Sequence, residues 1–171
     1  MDAVIQYTTF TATDAFVKDH HIVTDGLEML KTAEGHVSSY WGVQVPEEGS
    51  KRGYLCMAVL KKVVAGDLVR HQFSHVVGAS PVAGMEANVT EFVYITPKEG
   101  VSDSAIKEAA EKLDDVFNAN GHVAALGESV EGHGVYLIIV GWPSNLFVSP
   151  IVAFKAVANL EVTHAVLDEH N

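Results

Sequence analysis

One order of elements runs through this chain twice. Gly35-His36-Val37 returns as Gly121-His122-Val123, each after a stretch of helical periodicity. Downstream, Tyr54-Leu55-Cys56-Met57-Ala58-Val59 answers to Tyr136-Leu137-Ile138-Ile139-Val140, and each run is followed by a second helical pattern. A supersecondary unit that occurs twice restricts the fold, because each copy has an apolar face to bury and its twin is the natural cover.

The second copy is the more legible. Thr90-Glu91-Phe92-Val93-Tyr94-Ile95-Thr96 is rich in β-branched and aromatic residues and stops at Pro97, which predicts a strand. Ser102, Asp103 and Ser104 offer N-caps, and Ile106, Ala109, Ala110, Leu113, Val116 and Phe117 then recur at three- and four-residue spacing. That spacing lays one apolar stripe along a helix, which Asn120-Gly121 ends. Residues 123–130 and 134–142 read as a hairpin joined by Glu131-Gly132-His133-Gly134. Ser149-Pro150 reads as an N-cap with proline at the first helical position, and Ile151, Phe154, Val157 and Ala158 supply the buried face. A last strand covers residues 160–167.

This is β-α-β-β-α-β. The first copy repeats it with strands near 3–10, 37–45, 53–61 and 84–89 and helices near 14–33 and 66–77. The expected halves are residues 1–89 and 90–171, with the strands near 84–96 running almost continuously from one to the other. A four-stranded antiparallel sheet with both helices on one side leaves its other face bare, and a second such sheet can cover it. The predicted class is therefore α+β: two ferredoxin-like halves packed sheet on sheet as an intrachain α+β barrel.

Composition narrows the partners. Of 171 residues, 48% are apolar and 19% charged, enough to bury a core and too apolar for disorder. No apolar run reaches the roughly 18 residues that span a bilayer. The start, Met1-Asp2-Ala3-Val4-Ile5-Gln6-Tyr7, lacks the basic and long apolar regions of a signal peptide. A single cysteine suits a reducing compartment, so a cytoplasmic protein is expected. The net charge of −11 repels phosphate backbones and anionic lipid heads, so neither nucleic acid nor a membrane is an expected partner.

Ser39-Tyr40-Trp41-Gly42-Val43, followed by Gly53-Tyr54 at the start of the next strand, resembles the stress-responsive dimeric α+β barrel family, olivetolic acid cyclase-like members in particular. Members of that family usually dimerise to complete the barrel, whereas the fused duplication would replace that dimer within one chain. The resemblance implies aldol-type ring closure without metal or organic cofactor, steered by histidines and a tyrosine beside an apolar pocket. Under it, His75-Val76 matches the family's acid–base histidine. Its two other pocket histidines fall at Val4 and Cys56, and its tyrosine falls at Leu68.

The candidate catalytic residues are therefore His75, as the acid–base group, and Tyr40, as a positioning group. Trp41, Cys56, Leu68 and His71 are candidate substrate-binding residues. His71 and His75 would share a face on a helix, but two ligands make no metal site, and no metal or other cofactor is expected. On the expected helix, Val69, Phe73, Val76 and Val77 form the inward stripe and His75 lies off its centre, which also suits a plain flank residue. Tyr40 and Trp41 face opposite sides of their strand and suit core packing equally. Cys56 also reads as an inert strand cysteine. His36 and His122 each follow a helix-ending glycine, where the helix dipole favours an imidazole. His20, His21, His133, His164 and His170 have no partner that the sequence identifies.

The expected activity is that of a cofactor-independent enzyme on a small apolar molecule, of cyclase, lyase or isomerase type. A non-catalytic ligand-binding or stress-associated protein and a cofactor-free oxygenase are the alternatives. The partner is a small apolar molecule, and a homodimer of fused barrels is compatible with the pattern.

Overall fold

The computed structural model describes residues 4–28, 30–32, 36, 38–49, 51–54, 64–144, 154 and 156–170. Eight strands are described: β1 (Val4–Ala12), β2 (Ser39–Gln44), β3 (Arg52–Tyr54), β4 (Val64–Gly78), β5 (Val89–Pro97), β6 (Val123–Ser129), β7 (Tyr136–Trp142) and β8 (Ala158–His170). The helices are α1 (Asp14–Lys18), α2 (Thr24–Leu27), α3 (Pro81–Met85) and α4 (Asp103–Ala119). The strands hydrogen-bond in the order β1-β3-β2-β8-β5-β7-β6-β4, which closes as a barrel. Read around that order, β4-β1-β3-β2 and β8-β5-β7-β6 follow one rule, with the fourth strand of each set beside its first. The class is the α+β barrel that the repeated pattern predicts. Among the described residues no helix is long and apolar enough to cross a membrane.

The chain divides into two compact units, Gln72–His164 with the start of β1, and Gln6–His71 with Ala165–Asn171. In the first unit β7 is buried along its whole length. It pairs antiparallel with β5 from Val89↔Trp142 to Ile95↔Tyr136 and with β6 from Val123↔Gly141 to Glu128↔Tyr136. α4 covers one face of these strands. Ser102 caps it by accepting from the Ala105 amide at 3.3 Å. Ile106, Ala110, Leu113 and Phe117 form its buried stripe, and Phe117 meets Trp142 edge-on at 6.3 Å. Gly121, at φ 82°, takes the left-handed turn that ends the helix. His122 follows, its ring tilted by 42° against Trp142 with centroids 4.1 Å apart.

In the second unit Phe10, Ala12, Phe16, Val23, Leu27 and Trp41 make a compact apolar cluster. Phe16 reaches it from α1, which Thr13 caps by accepting from the Phe16 amide at 3.2 Å. β2 pairs with β8 from Ser39↔His170 to Gln44↔Ala165 and with β3 at Gly42↔Tyr54 and Val43↔Gly53.

Three expectations are corrected. Residues 66–77 are not a helix but most of β4. A register shift falls between His75 and Val77, and the expected inward stripe does not share one buried face, since Phe73 is buried and Val77 is 39% exposed. Their β-branched neighbours favour the strand. Residues 84–89 are not one strand, since Pro81 opens α3 and β5 begins only at Val89, so no strand runs through from 84. The single helix expected over 14–33 is instead α1, a 3-10 turn at His20–Val23, α2 and a 3-10 turn at Leu30–Thr32. The helix expected after Ser149-Pro150 lies mostly outside the described residues, and its expected member Ala158 opens β8.

Gly78 stands at the end of β4 with φ 93°, and a Cβ there would lie 2.5 Å from the Ala124 carbonyl oxygen. Gly100 has φ 80° with nothing within 4 Å of its would-be Cβ. Gly100→Ala therefore costs about 1 kcal/mol from backbone strain alone. Gly78→Ala adds a clash and costs about 2 kcal/mol or more. Urea denaturation of both variants at equal m-value measures the difference.

Candidate acid–base site

Glu91 of β5 and His164 of β8 form a deeply buried carboxylate–imidazole contact. The imidazole Nε2 lies 2.9 Å from the carboxylate Oε2, and the two side chains are 4% and 0% exposed respectively. Strand alternation places Glu91 on one face with Val89 and Val93, and the register adds Val140 opposite it. Trp142, paired with Val89, touches Phe117, so this is the face that α4 covers. A carboxylate under a helix and among valines is costly unless paired and hydrogen-bonded. Here the histidine supplies the pairing. The carboxylate in turn orients the ring, the arrangement used to hold a proton at a defined atom.

A second buried carboxylate lies on α4 itself. Asp114 sits in the helix's apolar stripe at 1% exposure. Its Oδ2 accepts from Asn118 Nδ2 at 3.0 Å. Asn118 also bonds the amide and the carbonyl of Ala124, at 3.2 Å and 3.3 Å, which ties the last turn of α4 to β6. Asp114 Oδ1 has no hydrogen-bond partner among the described residues. Burial, with a smaller push from Asp115, raises the Asp114 pKa to about 6, against opposing pulls from His75 and Asn118.

The sequence-predicted residues are placed as follows. His75 is half-buried on β4 at the bulge, where its Nε2 donates to the Ala79 carbonyl at 3.1 Å, and its charge is felt by Asp114. His71 and Leu68 lie on the same strand. His71 is therefore not one helical turn from His75: four strand residues span about 13 Å, too far for one ion. Tyr40 donates its hydroxyl to Glu169 Oε1 at 3.1 Å near the surface. Trp41, its neighbour on β2, is buried in the Phe10–Phe16–Leu27 cluster. Cys56 lies outside the described residues.

Sequence reasoning missed Glu91, Asp114 and the pairing of His164. One signal was present for each carboxylate, an acidic residue on an apolar face. Glu91 shares a strand face with Val89 and Val93, and Asp114 falls within the stripe of α4. The partner of Glu91 had no local signal, being 73 residues away. One further cluster can hold a metal ion: His20, His21 and Asp168 present ligand atoms that all lie within 4.8 Å of one another.

No protein-family model matches the chain, and no curated protein matches it in sequence. Solved structures match it in fold. A putative monooxygenase from Fusobacterium nucleatum superposes with a TM-score of 0.68 at 11% identity, over 98% of this chain and 94% of that one. A putative monooxygenase from Lactobacillus acidophilus superposes with a TM-score of 0.59 at 8% identity, over 96% of this chain and 93% of that one. At these identities the likeness shows a shared fold.

Folding raises the Asp114 pKa from the ordinary 3.8 to about 6, so the native state holds the neutral acid more readily than the unfolded chain does. The stabilisation from that proton is complete below pH 3.8 and is lost as pH rises through about 6. Asp114→Asn stays neutral throughout. Relative to that variant, the native chain should lose unfolding free energy between those two pH values and level off above them. Chemical denaturation across the range checks this, and a pH-independent difference would contradict the raised pKa.

Proposed function

We propose that the chain is an enzyme acting on a small, largely apolar molecule, with His164 and Glu91 as its acid–base pair. The observation that carries this reading is the 2.9 Å contact between the two, buried on the apolar face under α4. Hydrophobic cover strengthens every charge interaction inside it and suits an apolar substrate better than a charged one. The charge of −11 supports the same choice, since it disfavours nucleic acid and anionic lipid.

In the proposed reaction the imidazole takes a proton from an acidified C–H or O–H bond, and Glu91 stabilises the imidazolium that forms. The resulting carbanion or phenolate has two onward routes. With dioxygen as oxidant, an activated methylene becomes a carbonyl: two C–H bonds break, one oxygen atom enters the C=O bond, and the other leaves as water with both protons. The names of the two structural neighbours favour this oxygenase route. The second route is internal attack or elimination, as in a cyclase, lyase or isomerase of the olivetolic acid cyclase-like kind. The resemblance around Tyr40-Trp41-Gly42 favours that one. The repeated strand order also supports a tandem fusion of two ferredoxin-like halves, near residues 1–89 and 90–171.

Dioxygen uptake and product formation, followed on a panel of electron-rich phenols and activated ketones, separate the routes. The oxygenase route consumes one dioxygen per product and stops under nitrogen, whereas cyclisation or elimination continues. On either route His164→Ala should lower turnover by about 10²–10⁴-fold, and Glu91→Gln should lower it in the same direction. Far-UV circular dichroism identifies the variants that stay folded. Full turnover by a folded His164→Ala protein would remove the pair from the chemistry.

A further inference from the structure

We infer that His20, His21 and Asp168 form a binding site for one divalent transition-metal ion of the zinc, cobalt or iron(II) class. The site uses none of the residues of the acid–base pair and stands independently of it.

The backbone brings two adjacent imidazoles to one point. Neighbouring side chains diverge by about 100° on an α-helix and by about 180° on a strand, so consecutive histidines ordinarily face apart. Here His20 and His21, the first two residues of the 3-10 turn His20–Val23, nevertheless lie nearly parallel at 29° with centroids 4.9 Å apart. The turn is held from both sides of His21. Asp19 Oδ1 accepts from the His21 amide at 3.1 Å, and the Thr24 hydroxyl donates to the His21 carbonyl at 2.7 Å. The edges of aromatic rings flank each imidazole: Phe16 lies 6.4 Å from His20, and Trp41 lies 6.3 Å from His21.

The third ligand comes from β8, where Asp168 pairs with Trp41 in the β2 register. Its Oδ2 lies 2.5 Å from His20 Nε2. Atoms bound at about 2.0–2.1 Å to one tetrahedral ion stand about 3.4 Å apart, so rotation of side chains about their own bonds is enough to seat an ion within this 4.8 Å trio. Two imidazoles and a carboxylate suit zinc, cobalt and iron(II), and match poorly the all-oxygen cages that calcium and magnesium require. His21 is exposed and the other two are half-buried, which gives the ion an entry path and leaves a coordination position open to water or another ligand.

A plain ion pair between His20 and Asp168 is the competing account, and it makes no use of His21. Titration of the full-length, tag-free protein with Zn²⁺ by calorimetry, and with Co²⁺ by visible absorption, tells the two apart. One equivalent of each ion should bind, and millimolar Mg²⁺ should not compete. His21→Ala and Asp168→Asn should each weaken binding by more than about tenfold while leaving far-UV circular dichroism unchanged. His71→Ala should change nothing. His21 is exposed, so its variant tests the site even where His20→Ala fails to fold. Absence of saturable one-to-one binding overturns the inference, as does unchanged affinity in folded His21→Ala, or loss of binding with His71→Ala.

Discussion

The ladder through β5, β7 and β6 holds the first unit in register. Each residue of β7 is buried, and every one from Tyr136 to Gly141 pairs with β5 and with β6. A slip of one residue along β5 would turn Glu91 to the opposite face and bring Thr90 and Phe92 under α4. The position of the buried carboxylate is thus a property of the ladder before it is a property of the carboxylate. α4 depends on the same ladder, since Ile106, Leu113 and Phe117 bury only against a face that β5, β6 and β7 complete.

Two carboxylates are almost wholly removed from water in this unit, and the fold treats them differently. Glu91 is given an imidazole as its partner. For Asp114, burial and then the like charge of Asp115 favour the neutral form, against the opposing pulls of His75 and the Asn118 amide. Neither arrangement is needed for packing, because a buried ion pair seldom improves on a well-packed apolar one. Groups held at such a cost are frequent at sites where a proton is moved. Tyr136 shows the same environment acting on a phenol. Burial, then the charges of Glu128, Asp103 and Glu111, push it to about 12, so it remains the donor to Glu128.

The second unit draws its distinctive chemistry from interruption rather than regularity. A continuous helix through residues 14–33 would set His20 and His21 about 100° apart. Asp19, extended at φ −149°, ends α1 and caps the next turn, on whose first two residues the imidazoles lie side by side. The surrounding cluster of Phe10, Phe16 and Trp41 fixes where the turn sits.

By itself the sequence determined the elements whose signals are local and agree with one another. α4 has a cap, a clean stripe and a terminating glycine. β5, β6 and β7 have β-branched runs bounded by turn residues, and the repeated element order implied the α+β barrel. Where two local signals conflicted, the tertiary structure decided. Val69, Phe73, Val76 and Val77 carry the spacing of a helix, and strand pairing overrode it because β4 gains a ladder with β6 that a helix there would forgo. The candidate site was legible only as isolated oddities, an acidic residue in an apolar strand and histidines without evident partners. Which carboxylate meets which imidazole was decided by tertiary structure over 73 and 148 residues of separation, for Glu91–His164 and His20–Asp168 respectively (168 − 20 = 148). No local pattern encodes such a pairing, because it exists only once the hydrogen-bonded ladders have fixed how distant segments align.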